Sequence, residues 1–311
     1  GVPVSPRCTS PTNRIWSRIM AVDTNAPPVP AVAQTPPVAK LRKRRRWNAS
    51  TLVLAFPVPI LALIFWHMGV TNAWTLPFGI RMAFLPYPYD VARSLVDFAF
   101  GGIRNDAFSG ELWVNLGASA GRVLTGFAVA AIISIPIGIL MGRYGVISKL
   151  LDPSVNLLRP IPATAWLPLV ALIIGIGDQK TIFLISLSAF FPILLGSISG
   201  AKQVPPRLIE AAQMLGTRPA EILFKIVLPA AAPALINGLR VGLGLSWVIL
   251  VLGESSGTSV GLGATITLAR DIVRTDLIVV GMICIGLAGF ISDRLLLLIF
   301  RLAFRGRPLF E

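Results

Sequence analysis

The chain has one histidine and two cysteines among its 311 residues. Catalysis inside a membrane needs converging His, Asp, Glu or Cys groups, and this inventory supplies no such constellation. Cys8 sits in a polar tail and Cys284 in an apolar run, which gives neither a zinc spacing nor a structural disulfide. No glycine-rich loop ends in Gly-Lys-Ser or Gly-Lys-Thr, so phosphate binding by that loop is excluded and no cofactor is expected in this chain. Charge is also scarce: 14% of residues are charged and 54% are hydrophobic, which excludes a disordered or nucleic-acid-coating protein. The net charge of +14 would suggest nucleic acid in a soluble domain. Here the basic residues lie between apolar blocks, where they set topology rather than bind a polyanion.

Two regions are expected. Residues 1–46 carry Pro27, Pro28, Pro30, Pro36 and Pro37 and end in Lys40, Arg42, Lys43, Arg44, Arg45 and Arg46, the pattern of a disordered basic tail. Met20 is a candidate start. Residues 47–311 form a transmembrane domain with six expected crossings: Ala49–Met68, Val123–Gly142, a short third at Pro160–Gly177, Thr181–Ala201, Ala231–Gly253 and Leu277–Phe300. The first run is too long for a signal peptide and no small-residue cleavage pattern follows it. His67, near its end, reads as an interfacial or packing residue.

Basic residues near span ends are retained in the cytoplasm more often than translocated. With both termini on one side, that side collects nineteen Lys and Arg, including Arg143, Lys149 and Arg159, against six on the other. Both termini are therefore expected in the cytoplasm, in a multi-pass bacterial inner-membrane protein. The outer connection Gly69–Glu111 holds a short amphipathic segment on the membrane surface, with Asp90 as N-cap and Gly101 and Gly102 as stop. No internal repeat is evident, against a secondary carrier built on inverted halves.

The inner connection from Lys202 to Pro229 is far longer than a turn requires. Pro205 and Pro206 start a helix with an apolar stripe at Leu208, Ala211, Ala212 and Leu215, and Gly216 ends it. A second short helix follows, with Thr217 as N-cap and Pro219 early, until Leu228 and Pro229 break the run. A compact pair of amphipathic helices is suited to docking in a partner's groove. Glu210-Ala211-Ala212, three residues, Gly216, nine residues, Ile226, any residue, Leu228-Pro229 resembles the EAA signature of binding-protein-dependent ABC importer permeases. In that family the loop seats in the ATP-binding subunit. The resemblance assigns ATPase coupling to Glu210, Ala211, Ala212, Gly216, Ile226, Leu228 and Pro229.

The resemblance covers residues 84–304. LPYPYDV, SAGRVLTGF with Ser119, Arg122, Gly126 and Phe127, and LLRPIPATAWLPLVALIIGIGD are similar to nitrate, sulfonate and taurine importer permeases. It implies an all-α, type I permease-like fold and a homodimer around one pathway. It further implies two ATP-binding cassette subunits that hold ATP and Mg, an extracytoplasmic substrate-binding protein, and a small oxyanion or organosulfonate as cargo. Lipid, not nucleic acid, surrounds it. Prolines that break the third span make Pro162, Trp166 and Pro168 pathway candidates, since irregular backbone at membrane depth either lines a cavity or packs in protein. Arg240 lies too deep to be a surface charge, and either pairs with a group such as Asp293 or offers positive potential to an anion; Ser246 completes the candidate set. Gly238, Gly242 and Gly244 beside Ser246 suggest a helix that lines a dimer contact. The alternative is an ATP-independent secondary transporter or channel for a small anion.

Overall fold

The computed structural model describes residues 57–303. The tail expected at 1–46 and the beginning of the first span lie outside the described residues. In chain order the helices are α1 (Pro57–Thr71), α2 (Pro88–Phe100), α3 (Leu112–Arg143), α4 (Gly145–Leu158), α5 (Leu167–Ile174), α6 (Asp178–Lys202), α7 (Pro206–Met214), α8 (Pro219–Ile222), α9 (Leu228–Ser255), α10 (Leu262–Asp271) and α11 (Thr275–Ala303). A two-residue antiparallel pair, β1 (Thr75–Leu76) with β2 (Ile80–Arg81), interrupts the outer connection. Four helices are long and apolar enough to cross a membrane: α3, α6, the run Pro219–Ser255 and α11. Helix α4 and residues Ala163–Ile174 qualify together as a fifth, bent by 79°. Helix α1 is the described part of the first expected span, so the all-helical membrane fold stands as expected.

Helix α6 is clamped between α3 and α9 by glycines spaced four apart on all three helices. On α3, a methyl group at Gly138 or Gly142 would stand 2.5 Å from Ser197 Cβ or Ala201 Cβ of α6. On the other side of α6, a methyl at Gly196 would stand 2.8 Å from the Cα of Gly238, and one at Gly200 2.7 Å from the Ala231 carbonyl. Lipid tails are as apolar as leucine, so helix association in a bilayer depends on such close backbone packing. Gly238 and Gly242 are therefore spent inside the chain rather than on a dimer contact. Gly244, on the other face, meets nothing within 4 Å.

The third span differs from its expectation. Helix α4 is no simple connection: Ile147, Leu151 and Val155 pack with Leu194, Ile198 and Phe190 of α6, so it belongs to the helix bundle. Its amphipathic sequence, with Lys149 exposed and Asp152 half-buried beside Ser148, conceals it from a search for uncharged runs. Pro160 and Pro162 lack N–H donors and disfavour helix in the residues before them, which sets the bend. A 3₁₀ turn, Ala163–Trp166, and α5 complete the crossing. Lys149 and Arg159 thus sit inside a broken span and leave the count of basic residues in the connections; seventeen against six still favours the same orientation.

Two other boundaries shift. Pro88 occupies the first turn of α2 and Tyr87 its N-cap, so Asp90 lies within the helix, while Gly101 at φ +73° and Gly102 at φ +86° do end it. Helix α2 buries Val91 and Phe98 in a cluster with Val280 and Cys284 of α11, so it packs on protein as well as meeting its surroundings. The elbow's second helix does not break at Leu228 and Pro229. A π-helical turn, Leu223–Val227, inserts one residue, and the Leu228 N–H bonds the Leu223 carbonyl, five residues back. This widened turn accommodates Pro229, which has no N–H to offer, and α8 runs on into α9. The result is one rod of 37 residues, about 55 Å at about 1.5 Å per residue.

The segment 101–111 is fixed by carboxylates. Asp97 accepts the backbone N–H groups of Ile103 and Arg104 at 2.9 and 3.1 Å and the Ser109 hydroxyl at 2.8 Å. Asp106 accepts Arg274 Nη1 at 2.6 Å, and Arg274 and Arg104 both reach Asp276. Burial raises both carboxyls. The N–H and hydroxyl donors at Asp97 and the Arg274 guanidinium at Asp106 outweigh it and hold both below the ordinary carboxylate value.

Two outcomes follow from this packing. Gly196→Leu lowers the thermal unfolding midpoint in detergent, at an overpacking cost of about 1–3 kcal/mol, whereas Gly121→Ala, which meets nothing within 4 Å, leaves it unchanged or raised. The depressed carboxyls stabilise the fold above about pH 4 and lose that contribution as pH falls through their lowered values. Hydrogen-exchange protection of 101–111 should therefore fall below about pH 4 before that of α6 does.

Candidate coupling elbow and translocation cleft

Helix α7 presents two faces. Ile209 and Ala212 are buried with Val204, Ile222 and Val227 against Ile139 of α3 and Ala201 of α6. Leu208, Ala211, Met214 and Leu215 face outward, the last two 89% and 85% exposed, with Phe224 of the π turn also bare. The expected stripe is thus split: Ala212 faces inward, and Leu208, Ala211 and Leu215 form an outward apolar surface. Gly216 takes φ +73°, a left-handed conformation that strains any side chain, and the Thr217 N–H closes α7 on the Ala212 carbonyl. The N-cap position of α8 belongs to Arg218, which makes no side-chain cap bond, so Thr217 does not act as the cap. Glu210 is exposed beside Ala211, while Ile226 and Leu228 pack on the buried cluster and Pro229 is half-buried. The motif residues therefore divide into an anchor and an outward surface.

A cleft of about 470 Å³ opens between the broken span, α6 and α9, lined by Arg159, Ile161, Pro162 and Ala163, by Leu187, Ser188, Phe191, Pro192 and Leu195, and by Val241, Leu245, Val248 and Ile249. A second hollow of about 540 Å³ shares Pro192, Leu195 and Val241 and continues toward the Lys202 end of α6 past Ser199, Gln203 and Asn237. Together they form a groove along α6 and α9. Pro162 lines it. Trp166 packs behind it on the cluster of Val123, Leu184 and Trp247, and Pro168 is exposed outside its lining. Ser246 is fully buried and its hydroxyl donates to the Gly242 carbonyl at 2.9 Å, so it belongs to the α6–α9 packing and not to an open pathway.

Arg240 and Arg122 are both paired with carboxylates. Arg240 makes a bidentate pair with Asp293 of α11, Nε to Oδ1 at 2.7 Å and Nη2 to Oδ2 at 3.0 Å, the structural partner expected for it. A larger network joins α3, α6, α9 and α10. The Glu254 carboxylate is 0% exposed and accepts Arg122 Nη1, the Ser119 hydroxyl and the Gly263 N–H at the start of α10. Arg122 also holds Asp178 at the start of α6 through Nε at 2.9 Å and the Val260 carbonyl at 2.7 Å. Asn115 Oδ1 accepts the Gly261 N–H, and the Lys180 ammonium donates to the carbonyl and hydroxyl of Ser256 at the α9 C-terminus. The network fixes the reversal from α9 into α10 through one carboxylate that caps a helix N-terminus. Ser119, Arg122 and Glu254 are legible as single residues in the sequence; their meeting, 132 residues apart in the case of Arg122 and Glu254, is not.

Arg122→Met leaves a carboxylate buried without its cation, at a cost of about 3–5 kcal/mol. Folded yield and unfolding midpoint should drop sharply, and adding Glu254→Gln should recover part of the loss; an unchanged midpoint in the single variant would contradict the assignment.

The family described as "Binding-protein-dependent transport system inner membrane component" matches residues 134–305. An ABC transporter permease of Methanocaldococcus jannaschii is 40% identical over 251 residues, 79% of this chain and 89% of that one. The taurine transport system permease TauC of Escherichia coli is 34% identical over 259 residues, covering 82% and 91%. The nitrate import permease NrtB of Synechocystis is 30% identical over 263 residues, covering 82% and 93%. A solved inward-facing structure of the MetNI methionine ABC transporter superposes with a TM-score of 0.50 at 24% identity, covering 60% of this chain and 94% of that one, which supports the fold. With the family's profile on the spans and elbow and close relatives along most of its length, the chain belongs to the permease subunits of binding-protein-dependent ABC transporters.

Proposed function

We propose that this permease works as a pair of identical copies whose apposed grooves enclose one pathway for a small oxyanion or organosulfonate, moved inward across the bacterial inner membrane. The observation that carries the reading is mechanical. An exposed apolar surface at Leu208, Met214 and Leu215 sits on an elbow anchored by Ile209 and Ala212, and that elbow runs through a π turn into the helix that lines the groove. Two ATP-binding cassette subunits grip the elbow, with Glu210, Ala211 and Gly216 at the contact, and ATP and Mg are bound there rather than in this chain. Their closure tilts α9 and changes access to the groove. A substrate-binding protein delivers cargo to the opposite mouth, and both termini lie in the cytoplasm with the elbow. The relatives' named substrates, taurine and nitrate, are anionic or carry an anionic group, in accord with an anion as cargo.

The test is copurification from mild detergent. The wild-type chain should retain an ATPase, and Gly216→Val, which cannot adopt φ +73° without strain, should lose it. Leu215→Asp, a change on the fully outward face, should weaken the same association at least tenfold while leaving the unfolding midpoint within error. If no ATPase is recovered, or transport proceeds at full rate without one, an ATP-independent carrier replaces this reading.

A further inference from the structure

Four cations on α3, α6, α9 and α11 are satisfied inside the bundle. Arg122 holds Glu254 and Asp178, Arg240 holds Asp293, Lys180 holds the carbonyl end of α9, and Arg294 lies over the Phe290 ring at 4.8 Å. Arg159 differs. It stands at the bend of the broken span and lines the cleft, and among the described residues no side chain or backbone group bonds its guanidinium and no carboxylate shares the cleft's lining. Leu187 and Ser188, across the cleft, lie about 14 Å from one end of α6 and about 21 Å from the other at about 1.5 Å rise per residue. A guanidinium at that depth marks a pathway unless a partner neutralises it.

We propose that Arg159 is the contact that meets the anion in transit, a sulfonate- or nitrate-like group whose planar or tetrahedral oxygens the guanidinium fork engages. The geometry provides one cation against an otherwise apolar wall. One charge attracts an anion out of the mouth, and the absence of further donors apart from the Ser188 hydroxyl, itself given to the Ile185 carbonyl at 2.9 Å, keeps the contact weak enough to release. The two faces of the broken span divide the work: Ala163 and Trp166 brace it on the core, and the unbraced bend carries the charge. This assignment rests on the groove being half of the pathway.

The experiment uses the complete complex of this chain with its ATP-binding and substrate-binding partners in proteoliposomes, with taurine, ethanesulfonate and nitrate as separate probes. Arg159→Gln should lower the maximal uptake rate of whichever probe the wild type carries at least tenfold, with the ATPase still copurifying and the binding protein's affinity for the probe unchanged. Arg159→Lys, which keeps the charge, should recover at least a third of the wild-type rate. Uptake by the Gln variant within twofold of wild type overturns the assignment alone. So does loss of the copurifying ATPase in that variant, since the arginine then holds the bend rather than the anion, and so does a Lys variant no faster than the Gln variant. A wild-type complex that carries none of the three probes overturns the anionic cargo, and the Arg159 assignment falls with it.

Discussion

Helix α6 can touch the backbones of α3 and α9 only because glycines stand wherever the helices meet. Gly138 and Gly142 admit it on one side, and its own Gly196 and Gly200 meet Gly238 and Ala231 on the other. In a bilayer there is no hydrophobic force to draw helices together, so this proximity supplies the dispersion contacts that fix their relative positions. The three-helix core then has one arrangement, and the remaining elements dock onto it. The broken span leans on the outer face of α6, α11 is tied by the Arg240–Asp293 pair and the Trp247–Ser292 hydrogen bond, and α2 covers the base of α11.

The same medium governs the charges. A cation or carboxylate in hydrocarbon is tolerated when it is paired, and the satisfied pairs sort by task. Arg122 and Glu254 close the reversal into α10, where Gly261 at φ +141° lies so near the Glu254 carboxylate that a methyl group would approach it to 2.5 Å. Arg240 and Asp293 join two long helices. These pairs make rigid parts out of segments distant in sequence. A rigid part is what a coupling device needs, because a force applied at the elbow reaches the groove only if the rod between them does not bend.

Much of this was legible in the sequence for physical reasons. Long apolar runs locate four spans because hydrocarbon thickness fixes their length, and the elbow announces itself because amphipathic helices have no place in a tight turn. The boundaries were less legible. Helix α3 starts at Leu112, ahead of the uncharged run, because Arg122 is paired within the bundle and need not mark an end. Helix α4 was hidden because Lys149 and Asp152 interrupt its apolar run. Leu228 and Pro229 looked like a break, since a proline ends most helices, and only the π turn reveals how the chain absorbs it. Of the pathway residues, Pro162 lines the cleft, whereas Ser246 has a polar side chain at the right depth on the wrong face of α9, a distinction periodicity alone does not make on a helix that is apolar nearly all round.

The central claim is that elbow and groove move as one piece through the continuous rod from Pro219 to Ser255. A spin label at Leu252→Cys, a half-exposed position near the outer end of α9, in a background with Cys8 and Cys284 replaced by Ala, reports its distance to the same site in the second copy of the assembled complex. The account predicts a distance that shifts when a non-hydrolysable ATP analogue is added and that no longer shifts when Lys225→Pro disrupts the π turn while the ATPase stays bound. A distance indifferent to nucleotide in the wild-type complex, or a shift that survives the disrupted rod, would contradict it.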